Sequence, residues 1–273
     1  MQHRKLCFIG AGNMAGAIIA GLVTSGYPAS LISVCAPSNK NRDALAEKYG
    51  IHSSSDNIAC AGDAEVVVLA VKPQLMADVC KDLHQHIDFS NKLVLSIAAG
   101  VRVERFYALL GKDLNIVRIM PNTPSLVGKG MSGLYAPSQV SEQDREYSSE
   151  LMTAVGKICW VDSEEGINQV IAAAGSAPAY FFLFMEAMQQ EAQRQGLSAN
   201  SARLLVQQAA SGAAALVEAN PETPLSTLRE NVTSKGGTTF EALKVFNERE
   251  LTAIVAEAMQ AAVHRAQEME KLF

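Results

Sequence analysis

The chain has 273 residues, of which 48% are apolar, and 23 Lys and Arg against 28 Asp and Glu give a formal net charge of -5. That balance provides no basic field to recruit nucleic acid and no basic amphipathic helix for a membrane surface, while the length suits one or two domains with a sizeable core. The cysteines Cys7, Cys35, Cys60, Cys80 and Cys159 are odd in number and contain no Cys-x-x-Cys pair, which speaks against a disulfide framework or a zinc site and for buried thiols in a reducing cytoplasm.

Leu6-Cys7-Phe8-Ile9 predicts a short buried strand, in an apolar run too short for a signal peptide. Gly10-Ala11-Gly12-Asn13-Met14-Ala15 follows at once, and Ile18, Ile19, Leu22 and Val23 then recur at helical spacing until Gly26. Strand, glycine turn and helix in this order are the context in which Gly-x-Gly-x-x-Ala marks a dinucleotide site. Gly10 makes the turn, Gly12 admits a pyrophosphate against the backbone, and Ala15 allows close packing of the helix whose start faces the phosphates.

Leu31 to Cys35 predicts the second strand, and Ala36-Pro37-Ser38-Asn39-Lys40 follows it. An NAD-selective site has Asp or Glu here for the ribose 2′-hydroxyl. This chain has no acid before Asp43, and offers Ser38, Asn39, Lys40 and Arg42. These groups suit a 2′-phosphate, so NADPH is expected, with NADH possible; in the other reading Lys40 and Arg42 only decorate the next helix, from about Asn41 to Tyr49. Glu65 to Val71 is apolar on both faces, as a central parallel strand is, and it runs into Lys72-Pro73 at the crevice edge. Leu93 to Ile97 is another strand, and Ala98, Ala99 and Gly100 after it leave room for a flat ring such as nicotinamide. Asn115 to Met120 is a further strand, ending in Pro121-Asn122-Thr123-Pro124. Cys80, His84 and His86 lie close in sequence, but only Cys80 and His84 share a helix face, so no metal is expected there.

Beyond the acidic group Asp162, Glu164 and Glu165 the pattern becomes helical throughout. The expected division is therefore 1–163, a Rossmann-type doubly wound α/β domain, and 164–273, an all-helical domain. Helices are expected at about Ile167–Ala174, Ala179–Gln195, Ala202–Glu218 and Leu251–Leu272. Gly166 to Met185 carries no charge over about 20 residues, the length of a membrane span. Asn168, Gln169 and the Gly175-Ser176-Ala177-Pro178 break favour a buried core or a subunit interface instead.

Asn231-Val232-Thr233-Ser234-Lys235-Gly236-Gly237-Thr238-Thr239 leads into the last motif. Thr238 with Glu241 has capping-box spacing, so a helix is expected to start at Thr238 or Thr239. Glycines and hydroxyls ahead of a helix start present free N–H groups to a small anion. The same residues would also make an ordinary glycine turn before a capped helix.

Together these segments resemble pyrroline-5-carboxylate reductases, which reduce a cyclic imine to proline with NAD(P)H. The resemblance spans nearly the whole chain. It rests on Phe8 to Ala15, Ala70 to Pro73, Ser96 to Gly100, Met120 to Pro124, Gly175 to Tyr180 and, most specifically, Asn231 to Leu243. It implies that Ile9, Gly10, Ala11, Gly12, Asn13 and Met14 hold the pyrophosphate. Asn57, Ala70, Val71, Lys72 and Pro73 would line the adenosine, Ile97, Ala98 and Ala99 the nicotinamide, and Asn231 would also reach the cofactor. Glu164, Thr238 and Thr239 would contact the substrate, with Ser234 and Gly237 beside its carboxylate. Thr239 is the expected hydroxyl at the ring nitrogen and the one catalytic side chain. The resemblance further implies a cytoplasmic homodimer or ring of dimers interlocked through the helical half. Two departures stand out: Ala177 sits where a glycine is usual, and Lys235 where a proline is usual. Two rival readings remain, a two-domain 3-hydroxyacid dehydrogenase and a non-catalytic NADP-binding regulator. The first needs a proton-shuttling Lys or His that only Lys235 could supply, and intact Gly236 to Thr239 argues against the second.

Overall fold

The computed structural model describes residues 3–112 and 114–273. Packing divides them into two compact units, one reaching to Ser176 and including Ala261–Phe273, the other Ala177–Gln260. In the first unit strands and helices alternate as β1 (Leu6–Ile9), α1 (Asn13–Thr24), β2 (Ile32–Cys35), α2 (Asn39–Tyr49), β3 (His52–Ser54), α3 (Asn57–Asp63), β4 (Val66–Leu69), α4 (Pro73–His86), β5 (Leu93–Ser96) and α5 (Val103–Leu110). There follow β6 (Asn115–Met120), β7 (Gly130–Tyr135), α6 (Glu142–Thr153), β8 (Gly156–Trp160) and α7 (Gly166–Val170), the last continued by a π-helical turn over Ile171–Gly175.

These strands make one sheet in the order β3-β2-β1-β4-β5-β6-β7-β8. Its pairs are parallel except β6 with β7, which is antiparallel. Strand order reverses between β1 and β4, the switch point where open α/β sheets take their ligands. Side chains alternate across the sheet, so Leu6 and Phe8 join the core on one face and Cys7 and Ile9 that on the other. All four residues of β4 are buried, each contributing roughly 1.5–3 kcal/mol through the burial of its side chain.

The second unit holds α8 (Ala177–Arg194), α9 (Ala199–Ala219), α10 (Leu225–Asn231), α11 (Thr238–Glu248) and the first part of α12 (Leu251–Leu272). Within it, among the described residues, only Ala202 and Val206 are buried. Phe181, Phe182, Leu183 and Leu204 are each more than 60% exposed. The helix over Gly166–Arg194 is long and apolar enough to cross a membrane, yet hardly buried within the chain. The stretch is thus split: Gly166, Ile167, Asn168 and Ala172 are buried in the first unit, and for the uncovered part from Ala177 onward the subunit-interface expectation remains.

Packing breaks later than the sequence boundary at 163/164. The Val170 side chain fills the space beside Gly133 on β7, where a Cβ would come within 2.6 Å of it, and Asn122 Nδ2 donates to the Ala174 carbonyl at 3.0 Å. The end of α12 also returns to this unit, with Met269 packed against Gly100. Periodicity marks where strands stop, but not which helices pack back onto them.

Candidate active site

Gly10 has φ +114°, and a Cβ there would stand 2.6 Å from the Ala70 carbonyl oxygen. Its N–H donates to the Cys35 carbonyl at 2.7 Å, while Ala70 N–H donates to Ile9 O at 2.9 Å, so β1, β2 and β4 meet at this turn. Gly12 is the N-cap of α1, without a side-chain cap, and a Cβ on it would meet no protein atom. The first N–H groups of α1, from Asn13 and Met14 onward, thus have no side-chain cap, as a pyrophosphate cradle requires. Ala11 and Ala15 are buried beneath it.

Ser38 is the N-cap of α2, again with no side-chain cap, and α2 starts at Asn39, two residues earlier than expected. Ser38, Asn39 and Lys40 are exposed. Arg42 is not the open cation the sequence suggested. Its Nε donates to Asp43 Oδ1 at 2.7 Å and its Nη1 to the Ala36 carbonyl at 3.0 Å. The hydrogen bond from Arg42 holds the Asp43 carboxyl below its usual range, so Asp43 and Arg42 largely neutralise each other. Lys40 is the cation left at this helix start.

Asp56 caps α3 by accepting from Ile58 and Ala59 N–H, which places Asn57 on the first turn. Asn57 Oδ1 is buried without a hydrogen-bond partner, an atom that a ligand donor would satisfy. Val71, Lys72 and Pro73 continue from Ala70, with Lys72 the N-cap of α4 and Pro73 at its first position. Ile97 N–H donates to Leu69 O at 3.2 Å, bringing Ile97, Ala98 and Ala99 to the same edge of the sheet as the Gly10 turn. The uncapped α1 start, the space at Gly12 and the orphaned Asn57 oxygen all fit a dinucleotide.

An ion network unforeseen in the sequence lies behind this edge. Arg118 on β6 is 2% exposed; its Nη1 donates to Glu164 Oε1 at 2.6 Å and lies 3.7 Å from Glu270 Oε1. Val103 N–H donates to the same Glu164 oxygen at 2.7 Å. Arg102 lies 3.4 Å from Glu164, 2.6 Å from Glu165 and 3.5 Å from Glu270. Glu164 is therefore occupied by backbone and guanidinium donors. Arg118, a charged residue inside the otherwise apolar strand β6, was the signal the sequence offered.

In the second unit, Asn231 ends α10 and is exposed. Gly236 has φ +72°, the left-handed conformation that glycine adopts without strain. The expected capping box does not form. Gly237, with extended backbone, is the N-cap of α11 and carries no side-chain cap, so Thr238 and Thr239 are the first two helical residues and Glu241 lies one position too far along. Gly237 N–H donates to Ser234 O at 3.0 Å, and a Cβ at Gly237 would collide with Ser234 Oγ. Ser234, Gly237, Thr238 and Thr239 are thus gathered round one uncapped helix start. The hollow between α10 and α11, lined by Arg229, Phe240, Lys244 and Asn247 among others, includes none of these four.

Three cysteines read separately in the sequence also meet. The Sγ atoms of Cys7, Cys35 and Cys60 lie within 4.8 Å of one another. Hydrogen bonding from Cys7, then Cys35, lowers the Cys60 thiol to about 5 against the opposing effect of burial.

Comparison with known proteins covers both halves. Residues 164–269 match the family model of pyrroline-5-carboxylate reductase dimerisation, and residues 5–100 that of NADP oxidoreductase, coenzyme F420-dependent. A pyrroline-5-carboxylate reductase of Vibrio alginolyticus is 66% identical over the whole of both chains. Among solved structures, a pyrroline-5-carboxylate reductase of Coxiella burnetii superposes with a TM-score of 0.93 at 41% identity, covering 98% of this chain and 99% of that one. A Plasmodium falciparum pyrroline carboxylate reductase with NADP bound gives 0.87 at 28% identity, over 99% of each chain. With its glycine turn, its uncapped α11 start and this likeness along its full length, the chain belongs to the pyrroline-5-carboxylate reductase family.

Proposed function

We propose that this chain reduces 1-pyrroline-5-carboxylate to L-proline with NADPH, the closing step of proline synthesis. The observation that carries the reading is 66% identity to a pyrroline-5-carboxylate reductase over every residue of both chains. NADPH, when bound, supplies the hydride that reaches the imine carbon. Ile9 to Met14 hold its pyrophosphate with backbone N–H groups, Ser38, Asn39 and Lys40 its 2′-phosphate, and Asn57 with Ala70 to Pro73 its adenosine side. Ile97 to Ala99 leave the flat space for nicotinamide, and Asn231 is a further cofactor contact.

The N–H groups at the start of α11 suit the substrate carboxylate, with Ser234 and Gly237 beside it and Thr238 on the first turn. Thr239 orients the ring nitrogen; once hydride has turned the protonated imine into the neutral amine, its hydroxyl relays a solvent proton to that nitrogen. A substrate that enters protonated needs no strong acid, so alignment supplies much of the rate. Glu164 acts through Arg118, Arg102 and Val103, holding the edge that carries Ile97 to Ala99, rather than by touching the substrate. The working form is a homodimer or ring of dimers in the cytoplasm, where free thiols persist.

The test is imine-dependent oxidation of NADPH and of NADH by the purified chain. Turnover with both, and a higher kcat/KM for NADPH, is expected. Equal kcat/KM would remove the assignment of Ser38, Asn39 and Lys40. Tight NADPH binding without turnover of the imine would return the chain to the regulator reading.

A further inference from the structure

The cluster of Cys7, Cys35 and Cys60 lies apart from the residues assigned to substrate. Cys7 on β1 and Cys35 on β2 are wholly buried, and Cys60 on α3 is partly exposed. Their separation in sequence hides a tight convergence, with every Sγ pair within 4.8 Å. The strand register explains it. Cys7 pairs with Ser33 and Ile9 with Cys35, so Cys7 and Cys35 sit diagonally, two residues out of step, with side chains on the same face.

That diagonal also limits what the pair can do. Parallel neighbours about 4.8 Å apart, offset by two residues of about 3.3 Å rise, put the two Cα atoms roughly 8 Å from each other. A disulfide needs them within about 7 Å, so this pair cannot be bridged without moving the sheet. A metal ion makes no such demand on the backbone. Tetrahedral bonds of about 2.3 Å to sulfur need the sulfurs about 3.8 Å apart, which small rotations of three thiols reach from where they stand. Soft thiolates select soft ions, and the partly exposed Cys60 side gives an entry path and leaves a fourth position to water.

We propose that Cys7, Cys35 and Cys60 form a three-thiolate site for one thiophilic metal ion of the zinc and cadmium type. The ion joins β1, β2 and α3, of which β1 ends in Ile9 and α3 starts at Asn57, both assigned to the dinucleotide. Cys35 supplies the carbonyl that receives Gly10 N–H, and its Sγ lies 3.7 Å from the carbonyl of Asp56, the cap of α3. Metal uptake thus fastens the α3 end of the crevice to the sheet and releases thiol protons.

The experiment titrates the full, reduced chain with Cd²⁺ alone, following thiolate-to-cadmium absorption in the ultraviolet, together with Tm. Saturation at one ion per chain and a raised Tm are expected. Both should persist in Cys159→Ser, which changes an exposed thiol elsewhere, and both should be lost in Cys60→Ser. If Cys60→Ser fails to fold, the wild-type chain decides: bound Cd²⁺ must shield Cys60 from a thiol-labelling reagent, located by peptide mapping. The proposal is overturned by the absence of the absorption, by its loss in Cys159→Ser alone, or by unchanged labelling of Cys60. It is also overturned if peroxide joins Cys60 to a strand cysteine in a chain that takes up no Cd²⁺, which would make the cluster a redox pair.

Discussion

Thr239 is the second helical residue of α11, and its hydroxyl is not used to cap that helix. Thr239→Val keeps the shape and the N–H groups while removing the hydroxyl. A hydrogen bond to a charged group contributes about 1.5–3 kcal/mol, so kcat/KM for the imine should fall roughly 10- to 150-fold with NADPH affinity unchanged. Ser234→Ala should instead raise KM mainly, because a carboxylate contact persists in ground and transition states alike. Steady-state kinetics with NADPH binding followed by fluorescence separates the two, and near-normal turnover in Thr239→Val would sink the assignment. Glu164 is a different case. Removing it leaves Arg118 buried beside one fewer carboxylate, and breaking such a pair costs about 3–5 kcal/mol. Glu164→Ala should therefore lower the urea midpoint markedly; an unchanged midpoint with a raised KM would give the residue back to the substrate.

At the level of elements, the proposed 2′-phosphate contacts put cofactor choice at the start of α2. Asn39→Asp places a carboxylate near the 2′-phosphate and should narrow or reverse the NADPH preference, read as the ratio of kcat/KM values. The junction of β1, β6 and α6 carries a pH-dependent tie. Burial would raise the Asp144 carboxyl, but hydrogen bonds from Arg4, Asn115 and Ser141 outweigh it and hold it below 3.8. Because the folded value is the lower, this stability is present above the unfolded value and lost as pH falls through the folded one. Tm measured against pH should drop on that acid limb, and the drop should be shallower in Asp144→Asn. Elements whose signals are local were legible in the sequence: Leu6 to Thr24 gives strand, turn and helix within one short segment, and α12 has the bounds its apolar spacing predicts. The start of α11 falls at Thr238, one of the two positions expected, but its cap is Gly237 and not Thr238, because both make acceptable N-caps and only backbone geometry chooses between them. The Arg118 network was hidden because its partners Glu164 and Glu270 are 46 and 152 positions away, and the cysteine cluster because strand register is not written locally.

For the whole molecule the controlling fact is the exposed apolar surface of the second unit. Phe181, Phe182, Leu183, Leu204 and Leu205 cannot stay in water on a stable monomer. The match to a dimerisation family over residues 164–269 says what covers them, a second copy of the chain. Light scattering at micromolar concentration should find no significant population at the single-chain mass of 29.2 kDa. Phe181→Glu with Leu204→Glu should shift the population toward that mass, and a parent chain found only there would refute the assembly.

The return of Ala261–Phe273 to the first unit has a consequence for how the protein is made. Synthesis runs at about 5–20 residues per second, so roughly 4–20 s separate the appearance of Ser176 from that of the residues that close the unit. For that time the nascent sheet lacks Glu270 beside Arg118 and Met269 beside Gly100. The amino-terminal half therefore waits on the ribosome with an open seam beside Gly100 and Arg118 until residues 261–273 have emerged. A nascent-chain series probed by limited proteolysis should show protection of β5 and β6 rising late, in step with residues 266–270 rather than with Ser176.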